Sequence, residues 1–426
     1  MTGTGDGTAD AVRRPTYRDV LRHREFRGLV VAQVTSELGD HVARVALASL
    51  VLARTESAFL AVLAFVVSFL PAVFGSALLG ALADRLPRKV VMLGCDLARA
   101  GVLAVIALLA VDSTPVWALL ALLLVAETFS APFEAAHRAV VPDVLPDPRE
   151  CLVGTGLLRT LYQVDQVVGI VAAGVVIVAV GERVGLMLDV GTFIVSFLVL
   201  AFTLRWRPAA GRADGPTARP SLLSDFREGW RLVFDDPALR ALVVLAWSAA
   251  VFLIAPEAVA LAYAREDGAG PAVGAGLMAS LPAGAAVGSF LVARLDPLRQ
   301  VRLIVPLAVA SCAPLLLTSL APPWQVALPL WFVAGASQGF MVPLMTTVNL
   351  VSPVGLRGRV NGLAGAGFST VTAATFLLAG AMADLATPAV AVTVAAVIGL
   401  GLVGSAHRTW PAGELRRAAR RVYAGG

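Results

Sequence analysis

The sequence predicts an all-α polytopic membrane protein, with twelve transmembrane helices in two pseudo-symmetric six-helix bundles. Three observations carry that prediction. Of the 426 residues, 58% are hydrophobic and 15% charged, against about 25% charged in an average soluble domain. Apolar runs of about 20 residues, enough to cross a hydrocarbon core about 30 Å thick, recur along nearly the whole chain with short breaks between them. One break alone is long and polar, and the stretches on either side of it repeat.

In chain order, residues 1–27 form a polar N-terminal tail with six arginines and no cleavable signal pattern. The first bundle occupies 28–204, with spans at 28–53, 58–83, 89–111, 116–140, 157–180 and 185–204. A central loop, 205–237, is rich in Arg, Pro, Gly and Ala and ends in an amphipathic stretch marked by Leu222, Phe226, Trp230 and Val233. The second bundle occupies 238–406, with spans at 239–263, 271–293, 302–320, 324–348, 360–383 and 388–406. Pro282, Pro314 and Pro343 are positioned to kink the eighth, ninth and tenth spans. Gly274, Gly276, Gly284 and Gly288 in the eighth and Gly362, Gly365 and Gly367 in the eleventh make small-residue faces, read either as tight static packing or as gate helices that slide. The tail 407–426 carries Arg416, Arg417, Arg420 and Arg421 at helical spacing, suited to an anionic inner leaflet.

Charge sets the expected orientation. With both termini and the central loop on one side, that side holds 27 of the 34 Lys and Arg, and the other side holds Arg54, Arg183 and Arg265. The positive-inside rule makes the rich side cytoplasmic, in a plasma (inner) membrane. The expected partners are therefore the lipid bilayer and a small-molecule substrate; the net charge of +5 does not imply nucleic acid, and a monomer is expected. Cys95, Cys151 and Cys312 fall in or beside separate apolar segments and suggest neither a disulfide nor a metal site. The four histidines are scattered, so no metal cluster is expected. No P-loop and no Ser/His/Asp constellation is visible, so neither ATP nor catalysis is expected.

The repeat has an offset of about 208 residues. Val141-Pro142-Asp143-Val144-Leu145 leads to Arg149 and Leu152-Val153-Gly154, as Val351-Ser352-Pro353-Val354 leads to Arg357 and Val360-Asn361-Gly362. Arg85-Leu86 likewise matches Arg294-Leu295.

Inside the first span, Glu37, Asp40, His41 and Arg44 share one helical stripe, which Gln33 extends by a turn. A charge near the bilayer centre costs about 2.5–3.5 kcal/mol on insertion scales, so the stripe should face helices or a water-filled path. At 1.5 Å per residue Asp40 lies about 18 Å from the inner end of the span, near the middle of the membrane. Asp40 or Glu37 is the expected proton carrier, with Arg44 tuning it; the alternative is a self-neutralising Asp40–Arg44 pair at i, i+4. His41 is read either with the stripe or as helix packing. Glu127 and Glu134 share a face of the fourth span, with pairs to Arg138 or His137 as the alternative role. Asp165 lies in the fifth between Gln163 and Gln166, while Asp189 and Glu257 are weaker candidates. Asp96 and Arg99 read as structural residues in the cytoplasmic part of the third span.

The sharpest motif is Gly80-Ala81-Leu82-Ala83-Asp84-Arg85-Leu86-Pro87-Arg88-Lys89, between the second and third spans. It resembles the signature loop of the major facilitator superfamily, departing from it with Pro87 in place of Gly. The resemblance implies a gating loop in which Gly80, Asp84, Arg85, Arg88 and Lys89 take part, with Asp84 and Arg88 closing the cytoplasmic side in the outward-facing state. Phe26-Arg27-Gly28 with Ser36-Glu37-Leu38-Gly39-Asp40, the Pro142–Leu158 region, and Arg357-Gly358-Arg359-Val360 are similar to the macrolide-efflux and enterobactin-exporter branch. Arg357 and Arg359 then belong to the second-half loop between the tenth and eleventh spans, and the first and fourth spans line a central cavity. Gly169 to Gly174 keeps two small residues of the branch's antiporter motif but lacks its Gly-Pro pair. The resemblance implies a secondary transporter working by alternating access, with export driven by a proton gradient and no bound cofactor. Proton-coupled uptake on the same fold is the alternative, and a membrane enzyme or scaffold a remote one.

Overall fold

The computed structural model describes residues 15–67, 86–111, 113–208, 222–353 and 356–408, and every regular element among them is helical. A short α1 (Tyr17–Val20) precedes α2 (Arg24–Thr55), the first expected span. α3 (Ala58–Val67) opens the second. α4 (Arg88–Leu109) is the third, and α5 (Val116–Thr128) with α6 (Ser130–Val144) the fourth. The fifth and sixth run together as α7 (Pro148–Thr203). The amphipathic α8 (Leu222–Asp235) leads into α9 (Pro237–Glu266), α10 (Pro271–Ala293) and α11 (Pro297–Leu316). α12 (Trp324–Ser337) and α13 (Met341–Val351) share the tenth span, and α14 (Arg357–Leu385) and α15 (Pro388–Arg408) are the last two. Nine stretches among the described residues are long and apolar enough to cross a membrane. α2 is also long enough at 32 residues, but its polar stripe dilutes its apolar character.

Local sequence sets the boundaries. Three helices begin with Asp followed by Pro: Asp147-Pro148, Asp236-Pro237 and Asp296-Pro297. The aspartate accepts backbone N–H groups that the first turn leaves free, as Asp236 Oδ1 does from Ala238 N at 2.7 Å and Leu239 N at 3.1 Å. Proline fits the first helical position because it has no N–H to lose. Pro282 and Pro314 lie inside α10 and α11, and α11 tightens after Pro314 into a 3₁₀ turn (Leu317–Leu320). In the tenth span a 3₁₀ turn (Gln338–Phe340) separates α12 from α13, just before Pro343. Gly181, at φ 81° and ψ 166°, divides α7 into two limbs; that conformation is essentially open to glycine alone.

We call the end of the molecule where α2 starts the near end and the opposite one the far end. α2 packs along both limbs of α7. The approach is close because Gly28 and Gly39 have no side chain: a Cβ on Gly39 would fall 2.0 Å from Asp189 Oδ1. α10 and α12 meet backbone to backbone, since a Cβ on Gly288 would fall 1.8 Å from Ala336 O and one on Gly284 would fall 2.1 Å from Phe332 O. In the eighth span these two glycines therefore serve close packing. In the eleventh, Gly367 lies against Trp247, while Gly362 and Gly365 face open space.

Contacts between the first group of helices (α2–α7) and the second (α9–α15) gather toward the far end. Arg265 of α9 lies 2.9 Å from Glu56 and donates to Leu52 O at 2.6 Å. Asp384 of α14 caps the start of α3, accepting from Ser57 Oγ and Ala58 N, each at 2.5 Å, and from Phe59 N at 3.2 Å. Phe65 stacks on Phe376 with centroids 5.6 Å apart. Gly174 of α7 faces α10 so closely that a Cβ would fall 2.4 Å from Ala275.

At the near end each group is tied within itself. Glu25 holds Arg207 at 2.6 Å, His23 lies 3.1 Å from Glu150, and Lys89 donates to Ala201 O and Leu204 O at 2.7 and 2.6 Å. Arg88 pairs with Asp143 and donates to Ala139 O at 2.6 Å. On the other side, Arg359 Nη1 of the second group lies 3.3 Å from Glu228 Oε1, joining α14 to the α8 that precedes that group.

Candidate functional site

The stripe on α2 closes onto a residue that the sequence placed elsewhere. Arg99 sits at the midpoint of α4 rather than in its cytoplasmic part. Its Nη2 donates to Asp40 Oδ1 at 2.7 Å and lies 3.7 Å from Glu127 Oε2. The guanidinium also covers the Phe193 ring on the second limb of α7, at 4.3 Å. The three charged side chains are 6%, 12% and 8% exposed, so the pair is desolvated, and a buried pair is retained only with good geometry and further hydrogen bonds. Ser130 Oγ supplies one, donating to Glu127 Oε2 at 2.9 Å.

The expected alternative for Asp40, a pair with Arg44 on the same helix, is replaced by this pair across two helices. The i, i+4 spacing allows a contact but does not compel it, and Arg99 reaches Asp40 directly. Arg44 instead lies within electrostatic reach of Glu37, Asp40, Glu127 and Asp165, and across the two groups of Glu257. Its Nε has no hydrogen-bond partner among the described residues.

Around Arg99 lie two more buried acids. Asp96 Oδ2 accepts from Ser196 Oγ at 2.7 Å and Asp189 Oδ1 from Thr192 Oγ1 at 2.9 Å. The other oxygen of each has no hydrogen-bond partner among the described residues. Asp96 and Arg99, read as structural, and Asp189, read as a weaker candidate, thus belong to the centre of the network. The available signal was depth: Arg99 lies as far along its helix as a residue facing Asp40 must, and an arginine at the midpoint of an apolar helix almost always has a partner or faces a polar cavity.

Glu37 is partly buried on the next turn of the stripe. With His41 and Asp165 it forms a group whose ligand-type atoms all lie within 4.8 Å of one another. The sequence showed no such cluster because Asp165 is remote in the chain. Gly169 brings α7 in: a Cβ there would fall 2.7 Å from the His41 ring. Gln33 Nε2 donates to Leu158 O at 3.3 Å.

The fourth span splits in role. Glu127 is 6% exposed and in the network. Glu134 is exposed and pairs with Arg138 at 3.3 Å, the alternative that the spacing allowed. His137 Nε2 lies 3.4 Å from Leu29 O. Of the gating loop, Gly80, Asp84 and Arg85 lie outside the described residues, while Arg88 and Lys89 hold the near end as above. Arg357 Nε donates to Ser352 O at 3.4 Å, next to the Arg359–Glu228 pair.

A helical membrane protein with a charged network buried among its first helices, and two groups of helices meeting at one end, has the build of a secondary transporter. The comparisons agree: residues 29–366 match the Major Facilitator Superfamily, and the chain belongs to it. It is therefore a multi-pass membrane transporter and not an enzyme. It is 25% identical over 369 residues to the multidrug efflux pump Tap of Mycolicibacterium fortuitum, covering 84% of this chain and 89% of that one. It is 26% identical over 231 residues to YkuC, an uncharacterised MFS-type transporter of Bacillus subtilis (strain 168), and spans about half that relative's length, 53%. The crystal structure of the nucleoside transporter NupG shares the fold, with a TM-score of 0.68 at 13% identity, covering 90% of this chain and 98% of that one.

Proposed function

We propose that the chain is a proton-coupled exporter of a small amphipathic molecule such as a drug, an antibiotic or a siderophore, working by alternating access. One observation carries the coupling: the buried region around Arg99 holds more acids than bases. Asp40, Glu127, Asp96, Asp189, Glu37 and Asp165 surround Arg99 and Arg44. Full ionisation of all of them would leave an uncompensated negative charge in an apolar interior, which is prohibitively costly. Such a region takes up protons or cations and releases them when its surroundings change. Asp40, the acid held directly by Arg99, is the assigned carrier, with Glu37 next to it and Arg44 as tuner. The direction of transport rests on the likeness to an efflux pump over most of both chains.

Among the described residues the near end carries Arg24, Arg88, Arg205 and Arg207, and we read it as the cytoplasmic one by the positive-inside rule, with both termini inside and the protein in the plasma membrane. The ties at the far end then support a state closed to the outside. The gate of Asp84, Arg85, Arg88 and Lys89 works at the near end, as the family motif implies, and the transporter acts as a monomer without a cofactor.

Reconstitution into vesicles with an imposed proton gradient tests the reading. Proton influx should drive a cationic dye or drug out against its gradient, and expression in an efflux-deficient host should lower dye retention. Accumulation of a labelled nutrient with the proton gradient would instead establish uptake. Transport indifferent to the gradient would remove proton coupling.

A further inference from the structure

We propose that Glu37, His41 and Asp165 form a binding site for a divalent first-row transition-metal ion, of the Mn²⁺, Fe²⁺, Co²⁺ or Zn²⁺ class, between α2 and the first limb of α7. The site goes beyond the export reading, because an organic cargo does not require it.

The geometry carries the proposal. Glu37 and His41 are at i, i+4 and project from one face of α2, the spacing by which a single helix offers two ligands to one ion. Asp165 comes from α7, and the ligand-type atoms of all three lie within 4.8 Å of one another. Ligands on an ion at about 2.1 Å stand at most about 4.2 Å apart, so a small rotamer adjustment closes the group. Gly169, one turn beyond Asp165, leaves the space in which the imidazole lies against α7.

A second observation points to a ligand. Asp165 is 5% exposed, and its Oδ2 is buried without a hydrogen-bond partner among the described residues. A carboxylate oxygen so placed is costly unless something binds it. His41 is 8% exposed, while Glu37 is partly open and gives an ion a way in.

The donor set selects the class. One imidazole and two carboxylates, with no thiolate, suit the borderline divalent ions. Calcium and magnesium favour oxygen-only shells with more ligands. Two carboxylates balance the charge of a divalent ion. Asp40 adds to the attraction, and Arg44, within electrostatic reach of Glu37 and Asp165, opposes it.

The test uses the purified full chain in detergent, titrated with Co²⁺. The wild type should bind one ion per chain with visible d–d absorption, and X-ray absorption should show imidazole nitrogen and carboxylate oxygen at about 2.0–2.2 Å. Asp165→Asn and His41→Gln, each shown to be folded by circular dichroism, should weaken binding at least tenfold. His23→Gln, at the other described histidine–carboxylate pair, should leave it unchanged. No stoichiometric ion in the wild type, a shell without imidazole, loss of binding in His23→Gln, or undiminished binding in the folded Asp165 and His41 variants would overturn the proposal. Should the two variants fail to fold, the wild-type stoichiometry and shell, with the His23 variant, decide it.

Discussion

Arg99 and Asp40 meet at 2.7 Å across α2 and α4, near the middle of both helices, and Glu127 approaches the same guanidinium at 3.7 Å from α5. One cation thus answers two acids from two different helices.

Removing that cation should be costly. Arg99→Gln leaves Asp40 and Glu127 buried without their partner, a loss of about 3–5 kcal/mol for a broken buried pair. The variant should melt well below the wild type in detergent and transport nothing. Arg99→Lys keeps the charge but loses the planar fork and the stacking on Phe193, so it should recover part of the stability. A melting temperature for Arg99→Gln equal to the wild type would show that the network does not hold these helices.

Asp40→Asn is the complementary change. It keeps the shape and a hydrogen-bond acceptor for Arg99 while removing the titratable oxygen. Proton-driven transport in vesicles should be abolished, with insertion and folding intact. Unchanged turnover would remove Asp40 from the coupling mechanism.

The far-end cap is a conformational tie. Asp384 holds the start of α3 through three hydrogen bonds, and bonds to a charged group contribute about 1.5–3 kcal/mol each. Asp384→Ala should shift the equilibrium toward the state open at the far end by tenfold or more, read by spin-label distances between α3 and α14. A distance distribution identical to the wild type would show that the cap does not set the equilibrium.

The near-end pair should give a pH signature. Burial acts to raise the pKa of Glu25, but the Arg207 hydrogen bond, the Arg205 backbone N–H and the two guanidinium charges together hold it below its usual range. A carboxyl with a depressed folded pKa contributes stability in full above its unfolded value of about 4.3. That contribution is lost as pH falls through the lower folded value. The melting difference between wild type and Glu25→Gln should therefore be largest at neutral pH and shrink in acid. A difference that grows in acid would contradict the pairing.

Most of the helices were legible because apolar length is a local signal, while the Asp-Pro starts carry the fifth and ninth helices back to Pro148 and Pro297, ahead of the expected apolar spans at 157 and 302. The stripe was legible for the same reason: four polar residues at helical spacing stand out in an apolar run. Its partners were not. Asp189 and Asp165 reach it from α7, whose approach depends on the close contacts at Gly39 and Gly169, and Arg99 reaches it from α4; no local pattern reports these placements. The i, i+4 rule offered Arg44 to Asp40, and tertiary packing supplied Arg99 instead. The fourth span shows the same limit, since Glu127 and Glu134 share a face by spacing, yet one is buried and the other exposed.

The single break at Gly181 leaves the two limbs of α7 almost no slack. The first limb carries Asp165 and presses on α10 at Gly174; the second carries Asp189 and the Phe193 ring under Arg99. A longer connection would let one limb shift while the other stayed still. Here the limb that meets the second group of helices and the limb that seats the buried guanidinium are joined by one non-helical residue, so the seam between the groups and the charged network are neighbours along a single helical hairpin.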